Sequence, residues 1–158
     1  MAEFTHIDEK GRVRMVDVSE KAPTQRVAMA CGRITMNRET LENIMNQAVK
    51  KGNVLETARI AGIMAAKRTS DLVPMCHPIN ITHALIDFSA DVDAASIEIS
   101  SEMRTVGQTG VEIEAITAVL IAAVTIYDMC KSYDRGMVIS DVRLVKKDGG
   151  KSGLFVAE

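Results

Sequence analysis

A chain of 158 residues is the usual length of one domain and is long enough to bury a hydrophobic core. Its hydrophobic content of 47%, with 25% charged residues, is typical of a globular protein and argues against intrinsic disorder. The formal net charge of −2 creates no global positive field, so the composition does not indicate a nucleic-acid binder.

The cysteines and the apolar segments indicate the compartment. Cys31, Cys76 and Cys130 are odd in number and lack CxxC spacing, which favours neither a disulfide framework nor a zinc finger. The N-terminal MAEFTHIDEK has no apolar core of a signal peptide, and the apolar run 115–127 is too short to span a bilayer unaided. We therefore expect a cytoplasmic protein with neither a membrane nor a nucleic acid as partner.

The first third of the chain predicts an arm, a strand and two helices. Residues 1–14 are polar without periodicity, which predicts a mobile N-terminal arm, whereas VDVS and then 26–36 contain the β-branched residues of strands. Asn37 is the predicted cap of a helix at 38–51 that stops at Gly52 in a left-handed conformation. Asn53 then caps a predicted second helix over VLETARIAGIMAAKRTSDL, which Pro74 ends at the latest.

The remaining elements alternate between strands and one long helix. An irregular strand is predicted from Ile79 through DFSADV, and a returning strand at 96–106 has the alternation of a sheet with one solvated face. The long helix 111–133 is apolar around its whole middle, so both of its sides must be covered. A last strand, 137–147, precedes a flexible tail rich in glycine and lysine.

The order of these elements predicts the fold class. If the two early helices count as one crossover, the order is βαββαβ, the pattern of a ferredoxin-like α+β sandwich with an additional helix in the first crossover. We expect residues 15–158 to form this single domain.

The sequence DLVPMCHPINI places a Cys76–His77 doublet between two prolines. Adjacent side chains of an extended loop point in opposite directions, so the doublet is not a catalytic dyad by adjacency. His83 lies six residues on, and no other Cys or His lies at the short spacings expected of a metal site. The simplest interpretation is a rigid loop whose imidazole has a backbone partner.

Asp128 is the most unusual charged residue of the chain. It follows an apolar run near the C-terminal end of the predicted long helix, where carbonyl dipoles and apolar surroundings disfavour its charge. Lys131 can reach it, because three residues correspond to about 60° around a helix. The pair is either a helix-end ion pair or a carboxyl group of raised proton affinity suited to acid–base catalysis. Glu112 and Glu114, at the opposite end, suit the helix dipole, although Glu114 could also accept hydrogen bonds from a purine edge.

Other lysines have ordinary explanations. Lys51 stands in the last turn of a predicted helix, where cations are routine. The segment GGKSG resembles part of a P-loop, but Val145 stands where that loop needs its first glycine and only six residues follow Ser152. A solvated tail carrying Lys146, Lys147 and Lys151 remains, whose glycines leave backbone N–H groups free to bind an anion.

Several long motifs in the same order resemble the cyclic pyranopterin monophosphate synthase family of molybdenum cofactor biosynthesis, the MoaC family. They are MVDVS, KKGNVLETARIAGIMAAKRTSDLVPMCHP, TGVEIEA, AVTIYDMCK and KKDGGKSG, and together they cover essentially the whole chain. No position that the family uses chemically departs from its pattern, and Ile113 in VEIEA is a conservative variation.

The resemblance implies a ferredoxin-like lyase that converts (8S)-3′,8-cyclo-7,8-dihydroguanosine 5′-triphosphate into cyclic pyranopterin monophosphate and diphosphate. It also implies a homohexamer, built as a trimer of dimers, with active sites at the dimer interfaces. The implied catalytic residues are Asp128, Lys51 and Lys131, and the matching substrate-binding residues are Met75, Cys76, His77, Ile113, Glu114, Arg26 and Lys147. No cofactor is required by the sequence, and Mg²⁺ could accompany the substrate phosphates.

These residue types suit such a reaction. A triphosphate with about four negative charges needs several cations, and proton transfers between nitrogen and carbon need a group such as Asp128 with Lys51 or Lys131. Two alternatives remain at this point. One is a non-catalytic nucleotide-binding module of ferredoxin-like fold, and the other is a zinc-dependent cyclohydrolase, which the missing ligand spacing disfavours.

Overall fold

The computed structural model describes residues 10–157. Its elements in chain order are β1 (Thr24–Thr35), α1 (Arg38–Met45), α2 (Val54–Ala66), α3 (Thr69–Leu72), β2 (Ile81–Asp91), β3 (Ser96–Gly107), α4 (Glu112–Cys130), β4 (Val138–Asp148) and β5 (Phe155–Val156). The expected mobile arm at 1–14 lies mostly outside the described residues.

The five strands form one antiparallel sheet in the order β2-β3-β1-β4-β5. Without the short β5, this is a βαββαβ arrangement in which α1, α2 and α3 occupy the first crossover and α4 the second. The ferredoxin-like α+β class predicted from the sequence is therefore confirmed, including the additional helical structure in the first crossover.

The hydrophobic core lies between the sheet and the helix pair α2 and α4. α4 contributes Ala118 and Ala122, which are fully buried, and these small side chains let the helix lie close to its neighbours. Gly62 of α2 has the same role, because a Cβ there would collide with the Ile86 side chain and with the Ala118 carbonyl oxygen. Close packing fixes α4 against the sheet, and with it the groups at both of its ends.

Both predicted helix N-caps are confirmed. The Asn37 side chain accepts a hydrogen bond from the Thr40 N–H, and Asn53 caps α2 in the same way. The end predicted for the first helix is wrong, because α1 stops at Met45. Gln47, with φ of 54°, takes the left-handed position of a Schellman motif, and Gly52 belongs to a later turn.

Two further boundaries differ from the sequence-based prediction. The predicted helix 54–72 is divided into α2 and the short α3, and the Thr69 hydroxyl donates to backbone carbonyls of the last turn of α2. The VDVS segment, residues 16–19, is not a strand and instead runs over the surface beside the Cys76–His77 loop. In both places, a side chain forms hydrogen bonds with nearby backbone groups. These bonds compete with the backbone hydrogen bonds of a regular helix or strand.

α4 is apolar enough, by length and composition, to cross a membrane, with mean hydropathy of 1.8 over an 18-residue window. However, 56% of that window is buried inside the fold, as in the core helix of a compact domain. The prediction that both of its sides are covered is not met within the described chain, because Leu120 is 40% and Val124 49% exposed. One apolar side of α4 therefore faces outward.

Candidate active site

Asp128, Lys51 and Lys131 meet at the C-terminal end of α4. Lys131 Nζ lies 2.7 Å from Asp128 Oδ1, and Lys51 Nζ lies 3.7 Å from Oδ2. Lys51 also donates to the Asp128 backbone carbonyl at 2.8 Å, where a cation complements the negative end of the helix dipole. The contact predicted between Asp128 and Lys131 is confirmed, and these three residues are called the Asp128 cluster below.

Of the two alternatives for Asp128, a helix-end ion pair and a carboxyl group of raised proton affinity, the structure favours the ion pair. The Asp128 side chain is 61% exposed, since the last turn of α4 directs it away from the core. The hydrogen bond and charge of Lys131, followed by the charge of Lys51, lower the pKa of Asp128 below its usual value. Asp128 is therefore a carboxylate at neutral pH that holds two ammonium groups close together.

A cavity of about 500 Å³ opens at the other end of α4. Its walls include most of the predicted substrate-binding residues, together with residues of the N-terminal segment. We call it the α4 N-terminal recess, and its lining includes Val16, Val18, Lys21, Met75, Cys76, His77, Thr109, Glu112, Ile113 and Glu114.

Glu114 is the buried carboxyl group of this recess, with only 3% of the residue exposed. Burial, aided by the negative charge of Glu112 and opposed by a hydrogen bond from its own backbone N–H, raises its pKa from 4.5 to about 7. A carboxyl group with such a pKa accepts hydrogen bonds when ionised and donates one when protonated.

Glu114→Gln is expected to remove a pH dependence of stability. The folded-state pKa of about 7 exceeds the ordinary 4.5, so wild-type stability falls as pH rises between these values and stays level above them. In the free energy of unfolding, the variant should exceed wild type by less than about 1 kcal/mol near pH 5 and by about 3 kcal/mol near pH 8. Urea unfolding at both pH values measures this.

Glu39→Gln is the matched control, because Glu39 is an exposed carboxyl group in the first turn of α1. Its unfolding at the same two pH values gives the baseline for replacing an exposed carboxyl group by an amide. Equal pH profiles of wild type and Glu114→Gln would contradict the raised pKa of Glu114.

Within residues 10–157, the structure places no group of three or more His, Cys, Asp or Glu side chains where they could hold a metal ion. Burial, with the nearby Glu114 charge, raises the pKa of the Cys76 thiol, which stays protonated near neutrality. His77 Nε2 lies 2.8 Å from the Val16 carbonyl oxygen. Because a carbonyl only accepts, Nε2 carries the proton, and the backbone partner expected for His77 is confirmed.

A second cavity, of about 550 Å³, lies beside the recess and is called the glycine-loop pocket. It is lined by Glu20, Lys21, Ala22, Thr24, Arg26, Gly150, Lys151 and Ser152. Arg26 Nε and Nη2 donate to the carbonyl oxygens of Gly107 and Gln108, each at 3.2 Å, so its guanidinium ties the loop before α4 to β1.

The glycines of the C-terminal segment are required where it passes Arg26. Gly149 has φ of 102° and leaves no room for a Cβ against the Gln25 carbonyl, and Gly150 lies against the Arg26 guanidinium. Lys147 Nζ contacts Ser152 Oγ, and β5 then pairs with the end of β4. Lys147 thus lies next to the pocket through its contact with Ser152.

Sequence reasoning missed the segment that divides the two cavities. Asp17 accepts hydrogen bonds from the N–H and hydroxyl of Ser19, which lower the pKa of Asp17, and Gln108 Nε2 donates to the Ser19 carbonyl at 3.2 Å. An Asp-x-Ser sequence is typical of such a local turn. That pattern was available in VDVS, but the β-branched valines favoured a strand.

The two ends of α4 are far apart. Fourteen residues separate Glu114 from Asp128, which corresponds to about 21 Å along a helix. In the described part of one chain, the Asp128 cluster therefore lies at one end of α4. The recess and the glycine-loop pocket lie at the other end. This part of the chain does not bring the predicted catalytic residues and the predicted substrate-binding residues into one site.

Fold and site together define a ferredoxin-like α+β protein in which Lys, Arg and glycine residues line a cavity next to a recess with a buried carboxyl group. Comparison with known proteins gives the family. The model of the MoaC family matches residues 15–150. The chain belongs to the MoaC family.

Similar proteins align with this chain over nearly their full lengths. The chain is 62% identical to a cyclic pyranopterin monophosphate synthase of Desulforapulum autotrophicum, over 100% of this chain and 97% of the relative. It is 59% identical to the protein of that name from Desulfatibacillum aliphaticivorans, over 100% of this chain and 99% of the relative. The protein of that name from Thermoanaerobacter pseudethanolicus is 60% identical, over 98% of each chain.

Proposed function

We propose that this chain is the lyase that converts (8S)-3′,8-cyclo-7,8-dihydroguanosine 5′-triphosphate into cyclic pyranopterin monophosphate and diphosphate. The observation that carries the proposal is the Asp128 cluster, with two lysine ammonium groups within 3.7 Å of one carboxylate. Exposed ion pairs contribute little to stability, so the fold itself does not call for this arrangement. Full-length relatives named cyclic pyranopterin monophosphate synthase support the same conclusion.

The α4 N-terminal recess suits the guanine-derived part of the substrate. Its volume of about 500 Å³ is in the range of ligand pockets, and Met75 and Ile113 offer apolar surface to a flat ring. The ionised Glu114 carboxylate can accept hydrogen bonds from the ring N–H and the exocyclic amino group of guanine. Cys76 and His77 complete the wall.

The glycine-loop pocket suits the phosphates. Arg26, Lys151 and the adjacent Lys147 supply positive charge, and the Ser152 hydroxyl supplies a further donor. Arg26 remains cationic while it holds the loop before α4, so it contributes through its charge and through its remaining N–H groups. Cations at this place stabilise the diphosphate as it leaves.

The Asp128 cluster supplies the acid–base groups. Rebuilding the guanine five-membered ring as a pterin moves protons between nitrogen and carbon, and positioned groups accelerate such transfers by about 10²–10⁴. The Asp128 carboxylate holds the ammonium groups of Lys51 and Lys131 in place and can receive a proton, while an ammonium group donates one.

A complete site requires a second copy of the chain. Ile113, Leu120, Val124 and Asp128 lie within about 80° on one side of α4, which is the exposed apolar side. Two copies related by a two-fold axis near residue 121 would cover Leu120 and Val124 and pair the Asp128 cluster of each with the recess of the other. This arrangement supports the active site at a dimer interface. The hexameric trimer of dimers and the cytoplasmic location belong to the same proposal.

The test is direct conversion. Purified protein supplied with the cyclised guanosine triphosphate should release diphosphate and form a pterin that becomes fluorescent on oxidation. Binding of the substrate without diphosphate release would instead favour the non-catalytic nucleotide-binding module. Asp93→Asn, which changes an exposed carboxyl group in the β2–β3 turn, serves as the variant with unchanged turnover.

A further inference from the structure

Residues 16–22 form a strap between the two cavities. Its first end is tied to the Cys76–His77 loop by the His77 Nε2–Val16 O hydrogen bond of 2.8 Å. Its middle is tied to the loop before α4, where Gln108 Nε2 donates to the Ser19 carbonyl at 3.2 Å. Internal bonds from Ser19 to the Asp17 carboxylate, at 2.9 and 2.7 Å, complete the strap and fix its conformation.

Lys21 is the residue that the linings of the α4 N-terminal recess and the glycine-loop pocket share. Its N–H donates to the Val18 carbonyl at 3.0 Å, which closes a turn and places Lys21 on the ridge between the cavities. Its side chain is exposed, so the ammonium group is accessible to a molecule in either cavity. A ligand that extends from one cavity into the other must pass Lys21.

The charged groups around this ridge leave the Lys21 ammonium group available to bind a ligand. The recess side carries the carboxyl groups of Glu112 and Glu114, and the pocket side carries Glu20. Arg26 already donates two hydrogen bonds to backbone carbonyls. Within residues 10–157, no carboxylate lies within 4.0 Å of the Lys21 ammonium group as an ion-pair partner. Lys21 can therefore give its hydrogen bonds to a ligand.

We propose that Lys21 is a further substrate-binding residue, which contacts the phosphate nearest to the nucleoside where the substrate passes from the recess into the glycine-loop pocket. His77 and Gln108 are positioning residues that act through the strap. This inference rests on the proposed function for the orientation of the substrate, with the base in the recess and the phosphates in the pocket.

The experiment measures binding of guanosine, guanosine monophosphate and guanosine triphosphate to full-length variants by calorimetry. Lys21→Met should lower the affinity for guanosine monophosphate and for guanosine triphosphate by about tenfold, which corresponds to the loss of one charge-assisted hydrogen bond. The affinity for guanosine should be unchanged. Lys21→Arg should retain most of the affinity. Lys67→Met is the matched control, because Lys67 is an exposed lysine at the end of α2 that lines neither cavity.

Gln108→Ala tests the strap itself. Loss of its hydrogen bond to the Ser19 carbonyl should weaken guanosine triphosphate binding less than Lys21→Met does, and in the double variant the two effects should be less than additive. Additive effects would contradict positioning through the strap.

The assignment of Lys21 is overturned if Lys21→Met binds guanosine triphosphate as tightly as Lys67→Met does. It is also overturned if guanosine affinity falls by the same factor as triphosphate affinity. Neither outcome depends on turnover. Wild type that fails to convert the cyclised triphosphate would reject the proposed function, while a phosphate-specific loss in Lys21→Met would still support Lys21 as a binding residue.

Discussion

Asp128→Asn is expected to lower the turnover of the cyclised guanosine triphosphate by about 10²–10⁴-fold, the usual contribution of a positioned acid–base group. Asparagine keeps the shape of the side chain and can still accept a hydrogen bond from Lys131. It carries no charge, so it neither receives a proton at neutral pH nor holds two ammonium groups together. Diphosphate release and pterin fluorescence, measured at saturating substrate, report the loss.

Binding separates a chemical effect from a structural one in this variant. Asp128 is exposed and lies outside the recess and the glycine-loop pocket, so guanosine triphosphate affinity should change much less than turnover. The lowered pKa of Asp128 adds a second expectation, because turnover near neutrality should not be limited by protonation of this group. Full turnover in Asp128→Asn would refute the assignment of the acid–base set.

Local sequence predicted the parts of the fold that depend on local interactions. The caps Asn37 and Asn53 act within one turn of their own helices, and α4 follows from a continuous apolar run. The end of α1 could not be predicted in the same way. Gly52 is the residue that usually takes the left-handed position, but Gln47 takes it here because α1 ends early.

The sequence predicted the contact between Asp128 and Lys131, but it did not predict the electrostatics of the Asp128 cluster. Spacing along one helix brought Lys131 to Asp128, whereas Lys51 reaches the cluster from 77 residues away in sequence. Lys131, which is local in sequence, contributes most to the lowered pKa of Asp128, and Lys51 adds a contribution that the local sequence does not indicate. Lys21 was missed for a similar reason, since a surface lysine acquires a role only through the cavities on either side of it.

A mixture of two inactive variants should regain activity if the active site is shared between chains. Asp128→Asn damages the Asp128 cluster, and Glu114→Gln damages the recess, where loss of the carboxylate should lower turnover by about a hundredfold through two charged hydrogen bonds. In a two-fold dimer of one chain of each kind, one site receives both lesions and the other receives neither. That second site should have wild-type activity.

The expected recovery has a definite size. Coexpression of the two variants with random pairing gives half of the dimers as mixed, and each mixed dimer has one intact site, so about a quarter of wild-type activity should return. Mixing Asp128→Asn with Lys51→Met is the control, because both lesions fall in the same cluster and no intact site can form. Activity in the first mixture that stays at the level of the separate variants would contradict a shared site. A single chain would then have to span about 21 Å between Glu114 and Asp128 by itself.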